Sequence, residues 1–108
     1  FIVCGCGGNR EKEKREKIGL ILAKYDNVLL TNDNPRNENP LDIINDINKC
    51  IKPLPYILDR KQAIISCLDK MNSNEYLVIL GKGNEDYMEI NNLKYPYSDL
   101  EVINEYFS

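Results

Sequence analysis

Asp33-Asn34-Pro35-Arg36 sets a carboxylate, an amide and a guanidinium around a proline in four consecutive positions. The apolar run of residues 27–31 leads straight into it. A proline after asparagine fixes a turn and bars helix continuation, so these polar groups share one short, stiff loop with the arginine expected to point outward. That arrangement suits a small anion such as a carboxylate, although for these four residues alone an ordinary turn with a solvated arginine is the simpler account.

Two further loops bear on the choice. Gly5-Cys6-Gly7-Gly8-Asn9-Arg10 follows the apolar Phe1-Ile2-Val3-Cys4, and its amides, at the start of a helix, are suited to an anion. It lacks the G-x-G-x-x-G spacing of a dinucleotide site. Gly81-Lys82-Gly83-Asn84-Glu85 follows Tyr76-Leu77-Val78-Ile79-Leu80. It has neither the sequence of a phosphate-binding P-loop nor a helix after it, which excludes nucleotide binding through it. Tight turns explain the glycines of both loops on local grounds. Together, however, the loops offer two guanidinium groups, one carboxylate and glycine amides, the complement of a zwitterionic amino acid: arginine pairs with carboxylate, and glutamate accepts from ammonium.

The surrounding elements must bring these loops to one place. Residues 1–4, 27–31, 56–58 (the weakest) and 76–80 read as strands. Residues 11–24 form a charge-rich helix whose second half is expected to be buried, with Glu11/Arg15 and Glu13/Lys17 pairs on a solvated face. Pro40 opens a second helix with an Ile43, Ile44 and Ile47 stripe. Asp59 caps a third helix through about Met71, with Ala63, Ile64, Cys67 and Leu68 inward. Residues 88–90 and 93–95 form a hairpin around Asn91-Asn92, and Ser98 starts a closing helix. The order implies an α/β, Rossmann-like three-layer domain: a mostly parallel sheet, helices on both faces, and a C-terminal hairpin. In such sheets ligands bind beyond the carboxyl ends of the strands, where all three loops fall.

Composition narrows the function. One domain accommodates 108 residues, and 43% hydrophobic with 29% charged residues describes a globular chain. No apolar run approaches the roughly 20 residues of a membrane span, and no signal peptide is evident. A net charge of −3 without a cationic stripe argues against nucleic acid. Cys4, Cys6, Cys50 and Cys67 lack metal or disulfide-framework spacing and read as small core residues in a reducing cytoplasm. Histidine is absent, which removes the commonest general base and zinc ligand.

In their order and separation, G-C-G-G-[ND]-R, D-N-P-R and G-K-G-x-E resemble the C-terminal domain of the Mur ligases, and within that family the tripeptide synthetases. The similarity extends over essentially all 108 residues, including Asp59-Arg60, Glu85-Asp86-Tyr87 and Tyr97-Ser98-Asp99. Members join an amino acid to the D-Glu carboxylate of UDP-MurNAc-L-Ala-D-Glu through an acyl-phosphate, with ATP hydrolysis, in peptidoglycan synthesis. Their C-terminal domain brings in the amino acid, and D-N-P-R marks those that add meso-diaminopimelate. The resemblance carries substrate binding to Arg10, Asn34, Arg36, Gly81 and Glu85, with no catalytic residue and no metal ligand. The guanidinium groups would take the distal carboxylate of diaminopimelate, and Glu85 with the Gly81 carbonyl its distal ammonium. Asn84 stands where the family usually has histidine, and Glu11-Lys12-Glu13-Lys14-Arg15 where relatives tend to have D-K-G-K-R.

The resemblance further implies that residues 1–108 are the C-terminal domain of a longer cytoplasmic ligase, without its UDP-substrate and central ATPase domains and inactive alone. ATP and Mg2+ are expected in the full-length enzyme and neither on this portion. UDP-MurNAc-dipeptide and ATP would be met through the other domains, with no nucleic-acid or membrane partner. The alternatives are a related ligase for L-lysine or lanthionine, and a stand-alone ligand-binding domain without catalysis.

Overall fold

Alternating apolar side chains divide the molecule into layers. The computed structural model describes residues 1–9 and 12–108. Strands β1 (Ile2–Cys4), β2 (Val28–Leu30) and β3 (Val78–Leu80) form a parallel sheet in the order β2-β1-β3, with Val3 in register with Leu29 and Ile79. Because successive strand residues face opposite ways, Cys4, Val28 and Leu30 pack with Leu22, Ile43, Ile44 and Ile47 on one side. Val3 packs with Ala63, Ile64, Cys67 and Val102 on the other. The first layer is supplied by α1 (Glu13–Leu22) and α2 (Pro40–Ile47), the second by α3 (Arg60–Lys70) and α4 (Asp99–Tyr106). This is the three-layer arrangement the element order implies.

The helix starts follow their capping chemistry. Asn39 Oδ1 accepts from the Leu41 amide ahead of Pro40, Asp59 from that of Gln62, and Ser98 from that of Glu101. The strand expected at residues 56–58 shrinks to one parallel bridge between Leu30 and Tyr56. Pro53 and Pro55 have no N–H to give a ladder, although the Leu30 amide still donates to the Pro55 carbonyl, and the Ile57 amide to that of Leu30.

The first helix departs from expectation. Leu20 and Ile21 are 49% and 54% exposed, and the buried face is instead Arg15, Gly19 and Leu22. The spacing i, i+4, i+7 is helical, but an arginine and a glycine occupy two of its three positions, so apolar residues alone did not show it. Arg15 is therefore not part of a solvated face, and Glu11 lies outside the described residues. Cys50 is also exposed, unlike the core cysteines Cys4 and Cys67.

After β3 the chain forms the antiparallel hairpin β4 (Tyr87–Ile90) and β5 (Leu93–Pro96), turning at Asn91 (φ 50°) and Asn92 (φ 67°). Two consecutive positive φ values are the mark of a type I′ turn, which asparagine tolerates. The hairpin does not join the main sheet. It docks on the loop after β2, where the Arg36 amide donates to the Glu89 carbonyl and the Asn91 amide to that of Arg36, at 3.0 and 2.9 Å. No helix among the described residues is long and apolar enough to cross a membrane.

Candidate functional site

The carboxyl ends of β1, β2 and β3 bring the three loops together, and two glycines allow them to touch. The Gly8 amide donates to the Asn34 carbonyl at 2.9 Å, and a Cβ on Gly8 would stand 1.8 Å from the Pro35 carbonyl oxygen. Gly81, at φ +118°, leaves space for Asp33, whose Oδ2 would lie 2.6 Å from a Cβ there. The 33–36 loop is thus wedged between the two glycine loops. Arg60 fastens its base, donating to the Asn32 and Leu80 carbonyls at the ends of β2 and β3 while forming a two-pronged ion pair with Asp99 at 2.8 and 2.9 Å. Tyr97 donates its hydroxyl to the same Asp99. Burial weakens the ionised form of Asp99, but the bonds from Arg60 and Tyr97 outweigh it and hold its pKa below the usual range.

Asn34 is the junction. Its Oδ1 accepts from Lys82 Nζ at 2.6 Å and from the Glu89 amide at 2.9 Å, and its Nδ2 donates to Glu85 Oε1 at 3.0 Å. Glu85 Oε1 also receives Lys82 at 3.3 Å, and Oε2 receives the Tyr87 hydroxyl at 3.3 Å. Burial raises the Glu85 pKa, but the bonds from Asn34 and Lys82 more than offset it, so the net shift is downward. An ionised carboxylate that accepts from ammonium is the result.

Arg36 does not point into open solvent as expected. Its side chain is 14% exposed; Nη1 donates to the Gly8 carbonyl at 2.9 Å, and Nε lies 3.4 Å from Glu89 Oε1. The docked hairpin supplies that carboxylate, which a local reading of four residues does not anticipate. Nη2 makes no hydrogen bond among the described residues. Arg36 also holds φ at +52°, a left-handed conformation that a residue with a side chain adopts at a cost of about 1 kcal/mol or more. Arg10 lies outside the described residues. Asn34, Arg36 and Glu85 therefore form one cluster, and Gly81 adjoins it through Asp33.

A cleft of about 760 Å³ opens beside this cluster, lined by Gly5, Gly7, Asn9, Asp33 and Gly81 among others. The loop amides are partly committed: Gly8 to Asn34, and Asn9 to Glu38. Cys6, also on the cleft, has its thiol pushed up to about 12 by burial and the neighbouring Cys4, so it is no nucleophile near neutral pH. Burial likewise raises the Asp33 pKa against the opposing charges of Lys82 and Arg60. Its Oδ1 is buried 3.4 Å from Lys82 Nζ, an ion pair without hydrogen-bond alignment.

Sequence reasoning missed Lys82 and Arg15. Lys82 is 3% exposed, and its neighbours Gly81 and Gly83 carry no burial signal. Its ammonium is buried against three oxygens, of Asn34, Glu85 and Asp33. Arg15 Nη1 and Nη2 bind Glu38 at 3.0 and 2.7 Å, and Nη1 also binds Asp46 at 2.9 Å. That cluster supports the loop from behind, because Arg15 Nη2 also donates to the Gly7 carbonyl. Among the described residues no group of three or more His, Cys, Asp and Glu is placed to hold a metal ion.

Comparison with known proteins bears on the family and the fold. Residues 1–83 match the family model described as Mur ligase, glutamate ligase domain. The chain is 45% identical over 107 residues to an Aquifex aeolicus protein named UDP-N-acetylmuramoyl-L-alanyl-D-glutamate--2,6-diaminopimelate ligase, covering 95% of this chain and 22% of that protein. A Helicobacter hepaticus protein of the same name is 42% identical over 111 residues, covering 99% and 24%. A solved structure of a ligase with that name superposes with a TM-score of 0.89 at 33% identity, covering 96% of this chain and 22% of the other. The chain thus spans less than a quarter of the length of these relatives.

Proposed function

The chain belongs to the Mur ligase family, within its glutamate ligase domain, and from that premise we propose that residues 1–108 are the amino-acid-binding domain of a longer ligase that adds meso-diaminopimelate to UDP-MurNAc-L-Ala-D-Glu. The observation that carries the reading is the bond from Asn34 Nδ2 to Glu85 Oε1 at 3.0 Å. It unites D-N-P-R and G-K-G-N-E in a chain whose relatives are named for 2,6-diaminopimelate. Arg36, through Nη2, and Arg10 take the distal carboxylate; Glu85 and the Gly81 carbonyl take the distal ammonium. The domain orients the attacking amine, and orientation alone accounts for a large share of many enzymatic barriers.

The remainder of the ligase, using ATP and Mg2+ in the cytoplasm, forms the acyl-phosphate on the D-Glu carboxylate. Lysine has no distal carboxylate and leaves Arg36 Nη2 without a partner among the described residues, a source of rejection in a site built for hydrogen bonding. In the complete ligase, kcat/KM is expected to favour diaminopimelate over lysine by about a hundredfold or more, and Arg36→Ala to abolish most of that preference. Equal use of both amino acids, or an Arg36→Ala enzyme with its preference intact, refutes the assignment.

A further inference from the structure

We propose that Lys82 is a positioning residue for the amino-acid substrate: its buried ammonium fixes which way the Asn34 amide faces and thereby which Glu85 oxygen is offered to the ligand. This rests on the binding site proposed above. The Lys82 side chain has no solvent exposure, and its Nζ lies 2.6 Å from Asn34 Oδ1, 3.3 Å from Glu85 Oε1 and 3.4 Å from Asp33 Oδ1. The rings of Tyr87 and Tyr97 stand 5.6 and 6.0 Å away and close the remaining sides.

An ammonium has only donors. Facing Lys82, the amide of Asn34 must present Oδ1, a choice reinforced by the Glu89 amide at 2.9 Å. Nδ2 is then compelled toward Glu85 Oε1. With Oε1 held by Asn34 and Lys82, Oε2 accepts, among the described residues, only from the Tyr87 hydroxyl at 3.3 Å and retains the capacity to accept from a substrate ammonium. Without Lys82, one of the two groups that orient Asn34 is gone, and Glu85 loses the cation that pins one oxygen. Side chains that touch substrate need such fixed supports to hold their geometry.

The test uses the complete ligase with Lys82→Met, which keeps most of the length of the side chain and removes the donor, and Lys82→Arg, which keeps the charge. Each is assayed with whichever amino acid the unsubstituted enzyme prefers. A failure of the diaminopimelate assignment then shows in the unsubstituted enzyme, whereas the Lys82 claim is read from the ratio of variant to unsubstituted KM. Lys82→Met is expected to raise KM for the amino acid about tenfold or more, with KM for ATP and for the nucleotide-linked substrate held within about twofold. Lys82→Arg is expected to recover part of the loss. An unchanged amino-acid KM in a folded Lys82→Met enzyme, or a parallel rise in all three KM values, overturns the proposal. If Lys82→Met does not fold, Lys82→Arg decides by the same KM split. Failure of both to fold assigns Lys82 to stability alone and likewise overturns it.

Discussion

Arg36 sits in a left-handed backbone conformation, at φ +52°, that residues with a Cβ avoid. The conformation is held from both sides, by the Arg36 amide on Glu89 and the Arg36 carbonyl under Asn91, so the strain is imposed by the hairpin. Arg36→Gly and Arg36→Ala remove the same guanidinium contacts but differ in what they do to the backbone. The glycine variant is expected to be the more stable of the two by about 1 kcal/mol, even though glycine has more freedom to lose on folding. Urea midpoints of the two variants measure it. An alanine variant as stable as the glycine one would mean that the loop relaxes once the arginine is gone.

At the scale of elements, Gly8 and Gly83 make opposite demands. A Cβ at Gly8 meets the Pro35 carbonyl at 1.8 Å, whereas one at Gly83 meets nothing within 4 Å and encounters only the positive φ of +59°. Gly8→Ala therefore has to push the 33–36 loop away from β1, with an expected loss of about 1–3 kcal/mol and weakened diaminopimelate binding. Gly83→Ala is expected to cost about 1 kcal/mol from backbone strain, with binding retained. Denaturation midpoints and titration with diaminopimelate separate the two, and comparable loss of binding in both variants counts against the wedge. What was legible from sequence follows the same division between local and remote causes. The Ile43, Ile44 and Ile47 stripe, the Asp59 and Ser98 caps and the Asn91-Asn92 turn all depend on near neighbours, and all are present. Convergence of the loops followed from strand order alone. The orientation of Arg36 was not legible, because Glu89 on a hairpin far along the chain determines it. Lys82 reaches Asn34 across 48 positions and Arg15 reaches Asp46 across 31, separations over which residue type gives no sign of pairing.

Over the whole molecule, the carboxylates held by buried cations set the response to acid. Glu38 has its pKa lowered from 4.5 to about 2, chiefly by the hydrogen bond from Arg15, with burial opposing and the Asn9 amide assisting. Among the described residues Lys12 and Arg15 are the cations paired with it, and Asp46 shares the Arg15 guanidinium. A carboxylate with a depressed folded pKa binds fewer protons folded than unfolded, so its stabilisation is complete above about pH 4.5 and is lost as pH falls toward 2. Glu85 and Asp99 are shifted in the same direction. Asp33 is shifted upward and opposes them, but the large downward shift is that of Glu38, so unfolding takes up protons at low pH. Unfolding free energy is therefore expected to be nearly flat between pH 7 and 5 and to fall steeply between 4.5 and 2, with Glu38 contributing on the order of 2–3 kcal/mol of the loss. Arg15→Met removes the cation and leaves Glu38 and Asp46 without it. It is expected to cost about 2–3 kcal/mol at pH 7, because both carboxylates keep some contact with solvent, and, because the Glu38 pKa then returns toward its ordinary value, to flatten the acid limb. Urea denaturation at pH 7, 4.5, 3 and 2.5 measures both effects. A variant destabilised at pH 7 but with an acid limb as steep as that of the unsubstituted chain would assign the acid sensitivity to carboxylates other than Glu38, leaving the Arg15 cluster a pH-independent brace behind the Gly7 loop.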